Sequence, residues 1–204
     1  MDMDSTLITI ECIDEIADFA GRKPEVAAIT ASAMHGEIDW PESLRKRVAL
    51  LVDLPESVLQ RVFDERLKLS PGATTLLAAA KKAGLKLLLV SGGFTFFTER
   101  LKAQLGLDFS YANQLEIKDG KLTGRVLGDL CDATAKARHL RATAAALGLR
   151  REHCIAIGDG ANDLKMLAEA AVSIAYRAKP VVQKQVPLAI NHVGLDGVLA
   201  LFDK

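Results

Sequence analysis

The feature that most constrains the fold is a pattern repeated through the second half of the chain: a short apolar run, a small-residue stop, then an amphipathic stretch. Leu85–Val90 (LKLLLV) lies between Gly84 and the pair Gly92-Gly93. Cys154–Ile157 (CIAI) ends at Gly158, and Val172–Ala175 and Leu188–Ile190 are weaker runs of the same kind. Runs this short, without polar alternation, predict strands buried on both faces. Ala73–Ala83, stopped by Gly84, and Ala135–Leu147, stopped by Gly148, predict helices, as does Asn162–Ala170 after a glycine-rich turn. Strands alternating with helices imply an α/β fold with a Rossmann-like parallel sheet covered on both faces.

Residues 10–69 break this pattern. Ile13, Ile16, Ala17 and Ala20 share one helical face that Gly21 terminates. Leu44, Val48 and Leu51 mark a second stripe, and Val58, Val62 and Phe63 a third. Pro24 and Pro41 suit first turns of helices. The expectation is a discontinuous core of residues 1–9 and 70–204, with a helical cap inserted at residues 10–69. Asn113–Val126 alternates around Asp119-Gly120, a hairpin signal, and is expected to be a surface hairpin without chemistry.

Composition excludes several classes. The chain has 204 residues, half of them hydrophobic, enough for a real core. Its 26 basic and 26 acidic residues balance to zero, so nothing suggests a surface for nucleic acid or an anionic membrane. No apolar run reaches the roughly 18 residues of a membrane span. The two acids at the start do not resemble a signal peptide. Cys12, Cys131 and Cys154 are odd in number and lack C-x-x-C spacing, which argues against disulfides or zinc and for a reducing cytoplasm. Oligomeric state is not legible.

Four short signals carry chemistry. Asp2-Met3-Asp4-Ser5-Thr6 sets two carboxylates two residues apart. Val90-Ser91-Gly92-Gly93 ends an apolar run with a hydroxyl and exposed N–H groups suited to a phosphoryl oxygen. Lys136 opens a predicted helix. Gly158-Asp159-Gly160-Ala161-Asn162-Asp163 follows an apolar strand, where open α/β sheets bind ligands, and offers oxygen donors that a hard cation prefers. Taken singly, the first three are more often an ordinary turn, a glycine loop or a solvated helix face, whereas the strand-loop-helix setting of the fourth favours a site.

Their order and spacing together resemble the four motifs of the haloacid dehalogenase superfamily. DMDSTLI, Glu11, Met34, SLRKRV with Arg47, VSGGF, YANQLEIKDGKLTG and IGDGANDLKML are similar, over nearly the whole chain, to the phosphoserine phosphatase family of bacteria and archaea. The resemblance implies magnesium-dependent hydrolysis of O-phospho-L-serine through an aspartyl-phosphate, the last step of serine biosynthesis. It implies Asp2 as nucleophile, Asp4 as general acid and base, and Lys136 as charge-stabilising group. It implies Mg2+ held by the Asp2 side chain, the Asp4 carbonyl and Asp159, with Asp163 orienting Lys136 or metal-bound water. Ser91, Gly92 and Asn162 would meet the phosphoryl group. Glu11 would meet the substrate ammonium and Arg47 its carboxylate, with Met34 and Trp40 beside them; Trp40 stands where many members of the family have Phe.

One departure stands out. The family carries an apolar strand ahead of the first motif, whereas only Met1 precedes Asp2 here. Either the chain begins downstream of a native start or the fold compensates, and the expectation is that Asp2 sits on a fraying end. Two alternatives therefore stay open: a sibling phosphatase or phosphotransferase acting on another small phosphate ester, such as phosphohomoserine, or a phosphate-binding form with little turnover. An ion-pumping ATPase fragment is excluded by the lack of membrane spans.

Overall fold

Each apolar run of the second half becomes a strand in the structure, a computed structural model that describes residues 1–202. β1 (Leu88–Phe94) pairs in parallel with β2 (Phe109–Lys118), which pairs antiparallel with β3 (Lys121–Leu127). β4 (Ile155–Gly158), β5 (Val172–Tyr176) and β6 (Leu188–Ile190) form a second, wholly parallel group of three. Helices α5 (Ala73–Lys82), α6 (Thr95–Leu105), α7 (Ala133–Ala146), α8 (Leu164–Ala168) and α9 (Pro180–Gln183) connect them. The result is the expected α/β architecture.

Two boundaries move for local reasons. The first strand begins at Leu88 rather than Leu85, because the Asp108 carboxylate takes both the Lys86 ammonium and the Leu87 N–H, each at 2.8 Å. The helix expected from Asn162 begins at Leu164. The Asp163 carboxylate instead accepts the Asp159 and Gly160 N–H groups and winds residues Ala161–Asp163 into a tighter turn.

Met1 and Asp2 lie between the two strand groups. The Met1 amine donates to Leu88 O at 2.7 Å, and the Val90 N–H donates to Met1 O at 3.0 Å. On the other side the Asp2 N–H donates to Ile157 O at 3.0 Å. The expected fraying end is thus corrected: Asp2 is 4 % exposed and backbone-bonded to β4.

Between Ile8 and Leu69 the chain leaves and re-enters the sheet through a paired crossing. These two residues form an antiparallel bridge, the Thr9 N–H donates to Lys68 O, and the Ser70 N–H donates to Leu7 O, both at 2.9 Å. The intervening chain forms α1 (Cys12–Phe19), α2 (Lys23–Met34), α3 (Trp40–Ala49) and α4 (Ser57–Arg61), the last continued by a wider turn through Arg66. Pro24 and Pro41 do occupy first turns, and Asp39 caps α3 by accepting the Glu42 N–H at 2.7 Å.

The β2–β3 hairpin turns at Asp119-Gly120, both with positive φ, as the sequence predicts. It is not a free surface hairpin, however. Asp53 N–H donates to Leu122 O, Glu56 N–H to Gly120 O and Leu122 N–H to Leu54 O, so the hairpin holds the loop after α3. One hydrophobic cluster also runs through both parts, joining Ile16, Leu44 and Leu59 to Leu89, Phe97 and Ile174.

Leu89 is fully buried on β1, beside the chain start. Leu89→Ala is expected to cost about 2–5 kcal/mol. Urea unfolding checks this: the midpoint falls while the slope stays unchanged.

Candidate active site

Three loops converge at the carboxyl ends of the strands: the turn after Met1, the loop ending β1, and the loop after β4. Met3–Leu7 forms a kinked turn in which Ser5 takes φ 56°. The turn directs the Thr6 hydroxyl to Asp159 Oδ1 at 2.8 Å. Asp4 Oδ1 accepts the Cys12 N–H at 3.1 Å, and Asp4 Oδ2 accepts from the Ser91 hydroxyl at 3.4 Å. The Gly93 N–H donates to Ser91 Oγ at 2.8 Å. Gly93 must be glycine, because a Cβ there would sit 2.5 Å from Asp4 Oδ2. Gly158 is constrained in the same way, with Asp163 Cγ 2.6 Å from where its Cβ would lie.

Lys136 is the centre of the arrangement. Asp132 caps α7 by accepting the Ala135 N–H, and the helix then delivers Lys136 inward, 1 % exposed. Its ammonium donates to Asp2 Oδ1 at 2.7 Å and to Asp163 Oδ1 at 2.8 Å. Burial pulls its pKa down, but the two carboxylates outweigh burial and hold it above the usual lysine range, so it stays charged. Asp2 is pushed well above the usual carboxylate range, by burial first and then by the Asp163 charge, against the pull of Lys136. These directions oppose each other across one ion pair. The charged lysine is the firmer member, since two carboxylates share it while Asp2 has one ammonium and a like charge beside it.

The donor set suits a hard divalent cation. Carboxylate oxygens of Asp2, Asp159 and Asp163 all lie within 4.8 Å of one another. Asp163 spends both oxygens on protein, on Lys136 and on the Asp159 and Gly160 N–H groups. Asp2 and Asp159 each use only Oδ1 in side-chain bonds among the described residues, which leaves Oδ2 of both for a cation. Burial pushes Asp159 up to about 6, with the charges of Asp163 and Glu11 adding and the Thr6 hydrogen bond opposing.

The helical insertion contributes a second group. Glu11 Oε1 accepts the Ser5 hydroxyl at 2.6 Å. Solvent reaches Glu11, yet protein surrounds it closely enough that burial, with Asp4 adding, pushes it up to about 7. Arg47 is half-buried in α3, its Nε directed at Ser43 O, and burial pulls its pKa down against the nearby charges of Asp14, Glu11 and Asp4. Trp40 lies across Gly92, its Cζ2 3.0 Å from where a Cβ would sit. Asn162 is half-buried and folds back over Gly160. Met34, the last residue of α2, is 66 % exposed.

Sequence reasoning missed Thr6 as a partner of Asp159, Asp14 beside Arg47, and Asn113. Asn113 is buried and bonded to Gly92 O, Gly93 O and the Cys131 N–H. Its one signal was a polar side chain within a strand, where Asn is disfavoured. A cavity of about 280 Å³ lined by Tyr111, Asp129, Cys131, Arg138 and His139 contains none of the acidic cluster, so volume alone does not locate this site.

Lys136→Met leaves Asp2 and Asp163 buried without their ammonium. Breaking such a pair is expected to cost about 3–5 kcal/mol, read by urea unfolding. A second expectation follows from Asp159. Its folded pKa, about 6, exceeds the ordinary 3.8, so its contribution to metal-free stability is complete below about pH 4 and is lost as pH rises through 6. A cation favours the ionised form. The rise in melting temperature on adding magnesium should therefore be small at pH 5 and grow through pH 7, and scanning calorimetry with and without EDTA checks it.

Residues 1–168 match the haloacid dehalogenase-like hydrolase family. The chain is 56 % identical over 205 residues to the phosphoserine phosphatase of Polaromonas sp., covering 98 % of this chain and 87 % of that protein. A haloacid dehalogenase-family hydrolase from Salmonella enterica serovar Typhi superposes with a TM-score of 0.96 at 42 % identity, over 100 % of this chain and 69 % of the other. A phosphoserine phosphatase solved as a phospho-aspartyl intermediate analogue superposes with a TM-score of 0.92 at 40 % identity, over 98 % and 95 %. With the acidic cluster, the buried lysine and the serine loop at the ends of its strands, this chain belongs to the haloacid dehalogenase-like hydrolases, among the phosphoserine phosphatases.

Proposed function

We propose that this chain hydrolyses O-phospho-L-serine to L-serine and phosphate through a phosphorylated Asp2. The observation that carries the reading is the Lys136 ammonium held between Asp2 and Asp163, with Asp4 bonded to Ser91 and lying near Glu11 and Arg47 of the insertion. The first cluster suits a phosphoryl group. The second suits a zwitterion, with Arg47 for its carboxylate and Glu11 for its ammonium.

A carboxylate attacking a phosphate dianion meets charge repulsion. Lys136 offsets part of it, and because it is fixed before substrate arrives, its orientation costs nothing at the transition state. Magnesium, when bound by Asp2, Asp159 and the Asp4 carbonyl, would supply further charge neutralisation at the phosphoryl oxygens. Asp2 Oδ forms a bond to phosphorus as the bond from phosphorus to the serine oxygen breaks. Asp4 gives its proton to that departing oxygen. In the second half, Asp4 takes a proton from water, the resulting hydroxide bonds to phosphorus, and phosphate leaves Asp2. Ser91 and the Gly92 N–H hold phosphoryl oxygens throughout, with Asn162 beside them. Asp163 positions Lys136 and the Asp159 loop rather than touching substrate.

The insertion, residues 10–69, acts as the lid over this site, with Trp40 closing against Gly92 and Met34 at its outer edge. The reading carries with it a small-molecule substrate, a place at the last step of serine biosynthesis, and a cytoplasmic setting in which Cys12, Cys131 and Cys154 remain free thiols.

Phosphate release from O-phospho-L-serine with magnesium, abolished by EDTA, is the primary test; no release from folded protein would refute the assignment. Asp2→Asn should abolish turnover, since an amide cannot form the acyl phosphate. Arg47→Ala should lower kcat/KM for phosphoserine by at least about 100-fold, the order expected when a charge-paired carboxylate loses its partner, and far less for an aryl phosphate. Equal losses on both substrates would rule out the carboxylate contact.

A further inference from the structure

The ladder between β1 and β2 breaks beside the phosphoryl loop. Val90 pairs with Tyr111 and Phe94 with Asn113, so four steps along β1 match two along β2. Ser91, Gly92 and Gly93 therefore bulge out of register and lose regular ladder partners. The Asn113 side chain takes their place. Its Nδ2 donates to Gly92 O at 2.7 Å and to Gly93 O at 3.3 Å, and its Oδ1 accepts the Cys131 N–H at 2.8 Å. The carboxamide is 1 % exposed and satisfied at both ends.

We infer that Asn113 is a positioning residue for phosphoryl transfer: its buried carboxamide sets the Gly92-Gly93 peptides that orient Ser91 and ties them to the segment that delivers Lys136. The inference rests on the reading of this site as a phosphoryl-transfer centre. Gly92 C=O and Gly93 N–H belong to one planar peptide unit, so holding the carbonyl aims the N–H. That N–H donates to Ser91 Oγ at 2.8 Å, which leaves the serine proton for Asp4 or for a phosphoryl oxygen. On the other side, Cys131 precedes Asp132, the cap of α7, and Lys136 lies in the first turn of that helix. One amide thus registers the serine hydroxyl against the ammonium although Ser91 and Lys136 stand about 45 positions apart along the chain. Glycines at 92 and 93 leave that loop no stiffness of its own, so an outside clamp is what holds it.

The test measures kcat and KM for O-phospho-L-serine in the native chain, Asn113→Ala, Ser91→Ala and the double variant. The rise in melting temperature on adding inorganic phosphate with magnesium is measured for each. Asn113→Ala should lower kcat by about 100-fold, the cost of a misplacement near 1 Å, with a smaller change in KM. Because Asn113 acts in part through Ser91, the loss in the double variant should fall well short of the product of the single losses, whereas independent effects would multiply. The phosphate-induced shift should be smaller in Asn113→Ala than in the native chain. A kcat within about threefold of native, or losses that multiply, would overturn the inference. If Asn113→Ala does not fold, Asn113→Asp keeps the shape and the acceptor for Cys131 but presents a second acceptor to the Gly92 and Gly93 carbonyls. Its activity relative to native should recover as pH falls and a donor is restored; a ratio flat across pH would overturn the inference. If the native chain releases no phosphate from phosphoserine, the proposed substrate fails, and the phosphate-induced shift in the native chain against Asn113→Ala still decides the role of Asn113.

Discussion

The site depends on one ammonium shared by two buried carboxylates. Lys136, Asp2 and Asp163 are all nearly inaccessible, and their bonds run at 2.7 and 2.8 Å. Burying such charges is costly unless they pair and their remaining valences are filled. Asp163 fills its second oxygen with the Asp159 and Gly160 N–H groups, and Asp2 accepts the Met3 N–H. The triad thereby sets three elements that are remote in sequence: the chain start, the first turn of α7 and the loop after β4. It also leaves an excess of negative charge. Burial, together with that excess, is why carboxyls here sit above their ordinary range, and the acidic cluster suits a hard cation.

Beside that triad, a second set of charged and aromatic side chains comes from a different part of the chain. Glu11 and Arg47 carry opposite charges on the first and third helices of the insertion, and Trp40 rests on Gly92. The insertion is not loosely tethered. Its two ends pair at Ile8–Leu69, it leans on the β2–β3 hairpin, and it shares one apolar cluster with the core. The strand that ends in this hairpin also carries Asn113, so a single strand supports both the helical insertion and the Gly92-Gly93 loop.

Much of this was legible before any coordinates. Apolar runs stopped by glycine became strands, because a run buried on both faces has no polar alternation to hide it. The Asp119-Gly120 turn was legible because only a few residue types accept its backbone. Asp2, Ser91, Lys136 and Asp159 were legible only as a set, through spacing. What escaped depended on side chains competing with the backbone: Asp108 shortening β1, Asp163 delaying α8, and Asn113 replacing ladder bonds at a bulge. No local pattern announces such substitutions, since a carboxylate or amide reaching across the fold looks, in sequence, like any polar surface residue.

The sequence alone determined the alternation of strand and helix, the helical insertion, and the inventory of acids, hydroxyl and lysine, because these follow from periodicity and from residues adjacent along the chain. The tertiary structure decided how Asp2 is held, by hydrogen bonds that tie Met1 to β1 and Asp2 to β4. It also decided that Lys136 is buried rather than solvated, since pairing across 134 positions to Asp2 exists only once the sheet has closed. Sequence spacing can name the members of a charged cluster. Only the packed fold supplies the low-dielectric surroundings that make their mutual attraction large enough to matter.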